Sequence, residues 1–280
     1  MESQQAIVAD PVPHAGFAQS RHSVCVKQTP RQNTLLAALP IEVYERLLRN
    51  LEFVTLPLGY IVHDSSDQKN FLYFITEGIV SKCYLTRSGA SAAFAVAGCE
   101  GVIGIATFLG GGGIPSLATV VSAGYAYRVR GELMKDEFDN GGPLARVLMR
   151  YTQALMAQIG QVAVCNRHHS LRQQMCLRIL FFLDRMASNE LTMTQELMAE
   201  MLGVRREGVT EAAGKLQKAG IIHYSRGHLA VLDRPRLEAE VCECYAVIAR
   251  EYTRLIPKEN GEPSPPSRWW HGGLIQAAAG

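Results

Sequence analysis

Arg205, Arg206, Glu207, Thr210 and Glu211 crowd one short stretch of the chain, with Lys215 one helical turn beyond it. Side chains of this kind suit hydrogen bonding to base edges. An arginine matches the two acceptors of guanine, and a glutamate accepts from the amino group of cytosine. Arg205, Lys215, Arg226 and the hydroxyl of Thr194 are suited to phosphate oxygens, contacts that position a protein without reading sequence. Gln195 stands beside Thr194 and joins this candidate set. Covalent and hydrolytic chemistry finds no comparable group. The chain has no phosphate-cradling loop, nucleophile elbow, zinc-protease motif or dinucleotide fingerprint, and no enzyme activity is expected. Asp136, Glu137 and Asp139 read as a helix start rather than as paired catalytic carboxylates.

The seven cysteines are odd in number, spread along the sequence and free of any C-x-x-C pair, which suits neither a disulfide framework nor a zinc site. Cys242 and Cys244 form the only close pair, and isolated cysteines behave as small buried apolar groups. His168 and His169 are adjacent on a helix, where neighbouring side chains diverge, so they read as a polar helix end. The expectation is therefore no metal and no cofactor, in a reducing compartment.

The elements that must hold the polar cluster are legible around it. Ala199 is small where two helices would cross, Gly203 supplies a turn, and Val204, Val209, Ala212 and Leu216 give the second helix an apolar face. Thr194 stands as N-cap of the first helix. Two β-branched runs, Gly220 to Tyr224 and His228 to Leu232, flank Ser225-Arg226-Gly227 and read as a hairpin wing. From Val204 to Lys218, Arg205, Arg206, Lys215 and Lys218 outweigh Glu207 and Glu211, although the whole chain is only +2.

The block from Leu191 to Tyr245 resembles the winged-helix DNA-binding domain of the Crp/Fnr transcription regulators. Ala199, Leu202-Gly203, Arg206-Glu207, Val209 and Gly220-Ile-Ile carry the resemblance. It implies a cytoplasmic homodimer on double-stranded, palindromic DNA, with an RNA polymerase contact if the protein activates. In the family, recognition helices read bases through an Arg-Glu or Glu-x-x-Ser-Arg arrangement. Arg206, Glu207 and Thr210 match positions of it, and Glu211 departs from the expected arginine. Some members hold an iron–sulfur cluster through N-terminal cysteines, but only Cys25 precedes Cys83 here.

The N-terminal half reads as short strands separated by glycine or polar turns: 52–56, 60–63, 71–75, 79–85, 92–96, 117–121 and 126–129. Such runs argue for an antiparallel β-roll or jelly roll. Leu58-Gly59-Tyr60-Ile-Val and Leu72 to Gly78 resemble the cyclic-nucleotide-binding-type sensor of the same family. That resemblance implies a phosphate cassette, and the matching stretch departs from it. Ile105 follows Gly104 where a glutamate is expected, and Pro115-Ser116 stands where Arg-Ser would be. Between Gly101 and Tyr127 there is no charge at all, so a cyclic phosphate would lack a cation there and ordinary cyclic AMP or GMP binding is disfavoured. The same uncharged window holds seven glycines and Pro115, which argue against a membrane helix. Gly110 to Gly113 reads as a flexible loop by default. Met1-Glu-Ser-Gln-Gln lacks the basic and apolar pattern of a secretory leader.

A long helix is expected from Pro143 to about His168. Leu144, Leu148, Tyr151, Leu155, Gln158, Val162 and Cys165 alternate by four and three, the spacing of a two-helix coiled coil, and are read as the dimer seam. At 280 residues and 48% apolar composition, the chain divides into a tail (1–33), a β-roll sensor (34–140), a dimerisation helix (141–169), a winged helix-turn-helix (170–245) and a Pro/Gly-rich tail (257–280) holding Trp269-Trp270. The class is α+β. An alternative is a DNA-binding scaffold whose β-domain takes a protein or a non-nucleotide ligand.

Overall fold

The computed structural model describes residues 28–63, 71–109, 116–186 and 188–256. Met1 to Lys27, Gly110 to Pro115 and the 257–280 tail, with Cys25, the glycine run and Trp269-Trp270, lie outside the described residues.

Two short helices, α1 (Thr34–Ala37) and α2 (Ile41–Leu48), precede the sheet. The boundary of the tail differs from the sequence reading: Asn33 is buried, caps α1 through Leu35 and Leu36, and donates from Nδ2 to the carbonyls of Ile75 and Gly101, both at 2.8 Å. A short amide side chain that fills its donors and acceptor on three segments ties the start of α1 to the sheet.

The first sheet is antiparallel and contains β1 (Glu52–Leu56), β2 (Ile61–His63), β3 (Phe71–Leu85), β4 (Ser91–Ala97), β5 (Val102–Ile103) and β6 (Leu117–Arg130). The order is β1-β6-β3-β4, with β2 on β6 and β5 on β3. Sequence runs 71–75 and 79–85 are one strand, as are 117–121 and 126–129. Glycine punctuates them without ending them: an added Cβ at Gly124 would lie 2.1 Å from the Glu77 carbonyl oxygen, and one at Gly78 2.5 Å from that of Ser122. These two glycines let β3 and β6 cross at irregular register, bending both strands into a roll.

After α3 (Ala106–Leu109) and α4 (Gly131–Asp139), Pro143 opens α5 (Pro143–His168) at a position where its missing N–H costs nothing. Asp136, Glu137 and Asp139 lie in the latter half of α4 rather than at a helix start. Glu137 is held by Arg46 at 2.7 Å and Asp139 by Lys135. Ser170 and Gln173 form a capping box that starts α6 (Leu171–Leu183). Then come β7 (Glu190–Thr192), α7 (Gln195–Leu202), α8 (Arg206–Lys218), β8 (Ile222–Ser225), β9 (His228–Val231), α9 (Arg234–Glu240) and α10 (Cys244–Leu255). The second sheet has the order β7-β9-β8.

The dimer seam read from spacing is corrected by the packing. Leu144, Leu148, Tyr151, Leu155, Gln158, Val162 and Cys165 are all buried within this single chain. Tyr151 donates to the carbonyl of Val102 in β5, and Tyr252 of α10 donates to Oε1 of Gln158 at 2.9 Å. α5 therefore uses that row to join the β-roll to the C-terminal helix, a helix the sequence reading does not contain. The opposite row is open: Met149 is 51% and Met156 67% exposed, with Gln153, Gly160 and Ala163 exposed at the same alternating spacing.

Candidate nucleic-acid interface

The helix-turn-helix is built as the small residues require. Thr194 accepts from the Leu197 amide and starts α7. Gly203, at φ +67°, closes it in the left-handed conformation, where its amide reaches the carbonyl of Glu200. α8 buries Val209, Ala212, Ala213 and Leu216 and turns its other face outward. Arg205 is the N-cap, and Arg206 and Glu207 occupy the first turn, all three exposed. This places two guanidiniums and a carboxylate at the end of a helix of groove-filling width.

Not every candidate stands free. Thr210 donates to Oε1 of Gln195 at 2.7 Å and to the Arg206 carbonyl, stitching α8 to the start of α7, so both side chains order the motif. Lys215 is paired with Glu211 at 2.7 Å, one turn apart and fully open to water. The pairing depresses the Glu211 carboxyl and is the kind of surface contact that a phosphate readily replaces. Gln217, which the sequence reading passed over, accepts from the Tyr224 amide and fixes the wing against α8. Arg226 and Gly227, at φ +48° and +81°, form the two-residue turn between β8 and β9, so an exposed guanidinium tips the wing. An added Cβ on Gly227 would lie 3.3 Å from the Thr194 methyl group, which sets the wing tip beside the α7 N-terminus.

The motif rests on the β-roll. Arg178 of α6, fully buried, donates to the Ala93 carbonyl of β4 at 2.7 Å, and burial lowers its pKa to about 10. Arg185, just after α6, meets Glu100 of the roll at 2.7 Å, both buried. The Gly203 turn lies against Ala92. Strand β4 is thus the shelf on which the helix-turn-helix sits.

Inside the roll, Gly104 has positive φ, and Ile105 is buried in the main core where the resemblance expects a carboxylate. Ser116 is buried, and Pro115 lies outside the described residues. The segment between Gly101 and Tyr127 holds no cation of its own, and strand pairing lays a lysine alongside it. Lys82 on β3 is buried in register with Ala118 of β6, two positions beyond Ser116. Desolvation lowers its pKa to about 8, and its ammonium lies 6.0 Å from the centre of the Phe94 ring. Among the described residues, no helix is long and apolar enough to cross a membrane.

Residues 173–240 match the family model of the Crp-like helix-turn-helix domain. No curated protein matches the chain. Solved structures share the fold at low identity. One described as a transcriptional regulator of the Crp/Fnr family from Eubacterium rectale has a TM-score of 0.59 and 19% identity, covering 73% of this chain and 96% of that one. The c-di-GMP-responsive global regulator CLP of Xanthomonas campestris gives 0.56 and 15%, covering 69% and 99%. FixK2 from Bradyrhizobium japonicum gives 0.55 and 16%, covering 69% and 98%. Residues 173–240 thus match the Crp-like helix-turn-helix domain, and the chain shares its overall fold with these solved regulators.

Proposed function

We propose that the protein is a sequence-specific transcription regulator that binds palindromic DNA as a homodimer. The observation that carries the reading is the exposed first turn of α8, where Arg205, Arg206 and Glu207 project from a helix whose other face is locked into the core. Arg206 and Glu207 read bases. Arg205 and Arg226 contact phosphates, joined by Lys215 once Glu211 releases it. Dimerisation uses the open row Met149, Gln153, Met156, Gly160 and Ala163 of α5, because a second copy is the partner that aligns two recognition helices about one DNA turn apart. The roll does not take cyclic AMP or GMP in the usual way, since Ile105 leaves the ribose without its carboxylate. The protein acts in the cytoplasm and catalyses no reaction.

Selection of bound fragments from random DNA by the full chain tests this directly. An inverted repeat with half-sites one helical turn apart is the expected product. A single half-site, or no enrichment, would overturn the dimeric reading or the DNA reading respectively.

A further inference from the structure

Two pairs of side chains far apart in sequence, Cys165 with His169 and Cys242 with Cys244, meet where α5 ends. Cys165 is on the last turn of α5, His169 is its C-cap, and Cys242 and Cys244 flank the start of α10. Their donor atoms all lie within 4.8 Å of one another, and the three cysteines are buried. Cys165 Sγ is 3.6 Å from Cys242 Sγ, and Cys244 Sγ is 3.4 Å from His169 Nδ1. A tetrahedral zinc ion with bonds of about 2.3 Å to sulfur and about 2.0 Å to nitrogen has S···S edges of about 3.8 Å and S···N edges of about 3.5 Å. The two separations just given match those edges, and none of the six exceeds 4.8 Å, so small side-chain shifts would close the set around one ion.

The surroundings are also those of a metal site. His169 Nε2 lies 3.3 Å from Glu243 Oε1, so the carboxylate can hold the proton on Nε2 and leave the Nδ1 lone pair facing the sulfurs. Gln161 Nε2 donates toward Cys244 Sγ at 3.2 Å, supplying an N–H to a sulfur that would carry negative charge. A disulfide between Cys165 and Cys242 would account for two of the four groups and leave Cys244, His169 and its carboxylate without a role.

We propose that Cys165, His169, Cys242 and Cys244 bind one thiophilic divalent cation of the zinc class. Binding displaces three thiol protons to the buffer and leaves a tetrahedral Cys3His centre. The ion would tie the start of α10 to the hinge between α5 and α6, where the connecting helix meets the helix-turn-helix. A multi-iron cluster is disfavoured, because such a cluster stands between its thiolates and holds them further apart than a single ion does.

The test is cobalt(II) titration of full-length protein, kept reduced and stripped with a chelator. The expected result is saturation at one ion per chain, with intense visible bands of tetrahedral cobalt and a sulfur-to-cobalt charge-transfer band. Zinc should bleach the signal and raise the Tm. Cys242→Ser with Cys244→Ser should remove the one-to-one step. His169→Cys guards against misfolding of that variant, since it should keep stoichiometric binding with a stronger charge-transfer band. A weak octahedral spectrum, or equal uptake by the double variant, would overturn the proposal. So would an absence of uptake combined with ready oxidation to a Cys165–Cys242 disulfide. None of these outcomes depends on whether the protein binds DNA.

Discussion

The two long faces of α5 carry the same spacing and meet different surroundings. Leu144, Leu148, Tyr151, Leu155, Gln158 and Val162 alternate by four and three, and so do Met149, Gln153, Met156, Gly160 and Ala163. The first row is sealed against the β-roll and α10, with Gln158 satisfied by Tyr252. The second is open, and its small and flexible side chains are of the kind that let two helices approach. Heptad spacing reports that a helix is packed along a stripe. It does not report whether the stripe faces the same chain or another one, and a helix caught between its own domain and a partner needs two such stripes.

The largest predicted effect separates the rows. Leu148→Glu with Leu155→Glu should unfold the protein, because each substitution leaves a carboxylate in an apolar core at a cost of roughly 3 kcal/mol or more, against a typical total stability of about 5–15 kcal/mol. Met149→Glu with Met156→Glu should leave the Tm of the isolated chain nearly unchanged, yield monomers by ultracentrifugation and weaken binding to a palindromic site far more than to a half-site. If the outer pair left the oligomeric state untouched, the open row would have lost its assigned partner.

The same contrast explains what could be read in advance. Features set by local chemistry were legible: the Thr194 cap, the Gly203 turn, the apolar stripe of α8, the wing around Arg226-Gly227, and the start of α5 at Pro143. Features set by distant packing were not. The inner row of α5 is visible as a pattern, and Cys244, Ile248, Tyr252 and Leu255 carry the helical spacing of α10, but neither stripe says that the two pack against each other. Lys82 is not legible from the uncharged segment itself, because strand pairing brings it alongside from β3. The Cys165, His169, Cys242 and Cys244 group is half legible for the same reason: Cys242 and Cys244 stand out as a close pair, but neither C-x-x-C spacing nor sequence proximity joins them to Cys165 and His169.

Lys82 extends the comparison into the roll, where a group that faces inward should resist protonation. Its pKa falls from 10.5 to about 8 through desolvation. Between those values the unfolded chain holds a proton that the native state has released, so stability should rise with pH across about pH 8 to 10.5 and lack that contribution below it. Lys82→Met should therefore stabilise the protein near neutral pH by up to about 3 kcal/mol and flatten the rise, measured by urea unfolding at several pH values. A loss of stability instead would show that an anion compensates the ammonium in the native roll.

On the outward side, effects should fall on binding and leave the fold alone. Arg206→Ala should cost about 1–3 kcal/mol in affinity for the selected site and relax preference at one base pair of each half-site. The Tm should stay within a degree or two, since Arg206 is exposed and its carbonyl, not its side chain, receives the Thr210 hydroxyl. Unchanged sequence preference would move base reading to another residue of the first turn.

The smallest effect is expected at the wing, and it needs a substitution that respects the backbone. Arg226 holds φ +48° in a two-residue hairpin turn, so alanine would confound loss of charge with strain in the turn. Asparagine tolerates that conformation and carries no charge, which makes Arg226→Asn the cleaner probe. If the guanidinium touches one phosphate in each half of the complex, the variant should weaken all DNA sequences by a similar factor. The slope of log K against log salt should become shallower by about one unit for each phosphate that is no longer neutralised. A sequence-selective effect would instead place the wing tip in a groove, and Arg226 would join Arg206 and Glu207 among the groups that read bases.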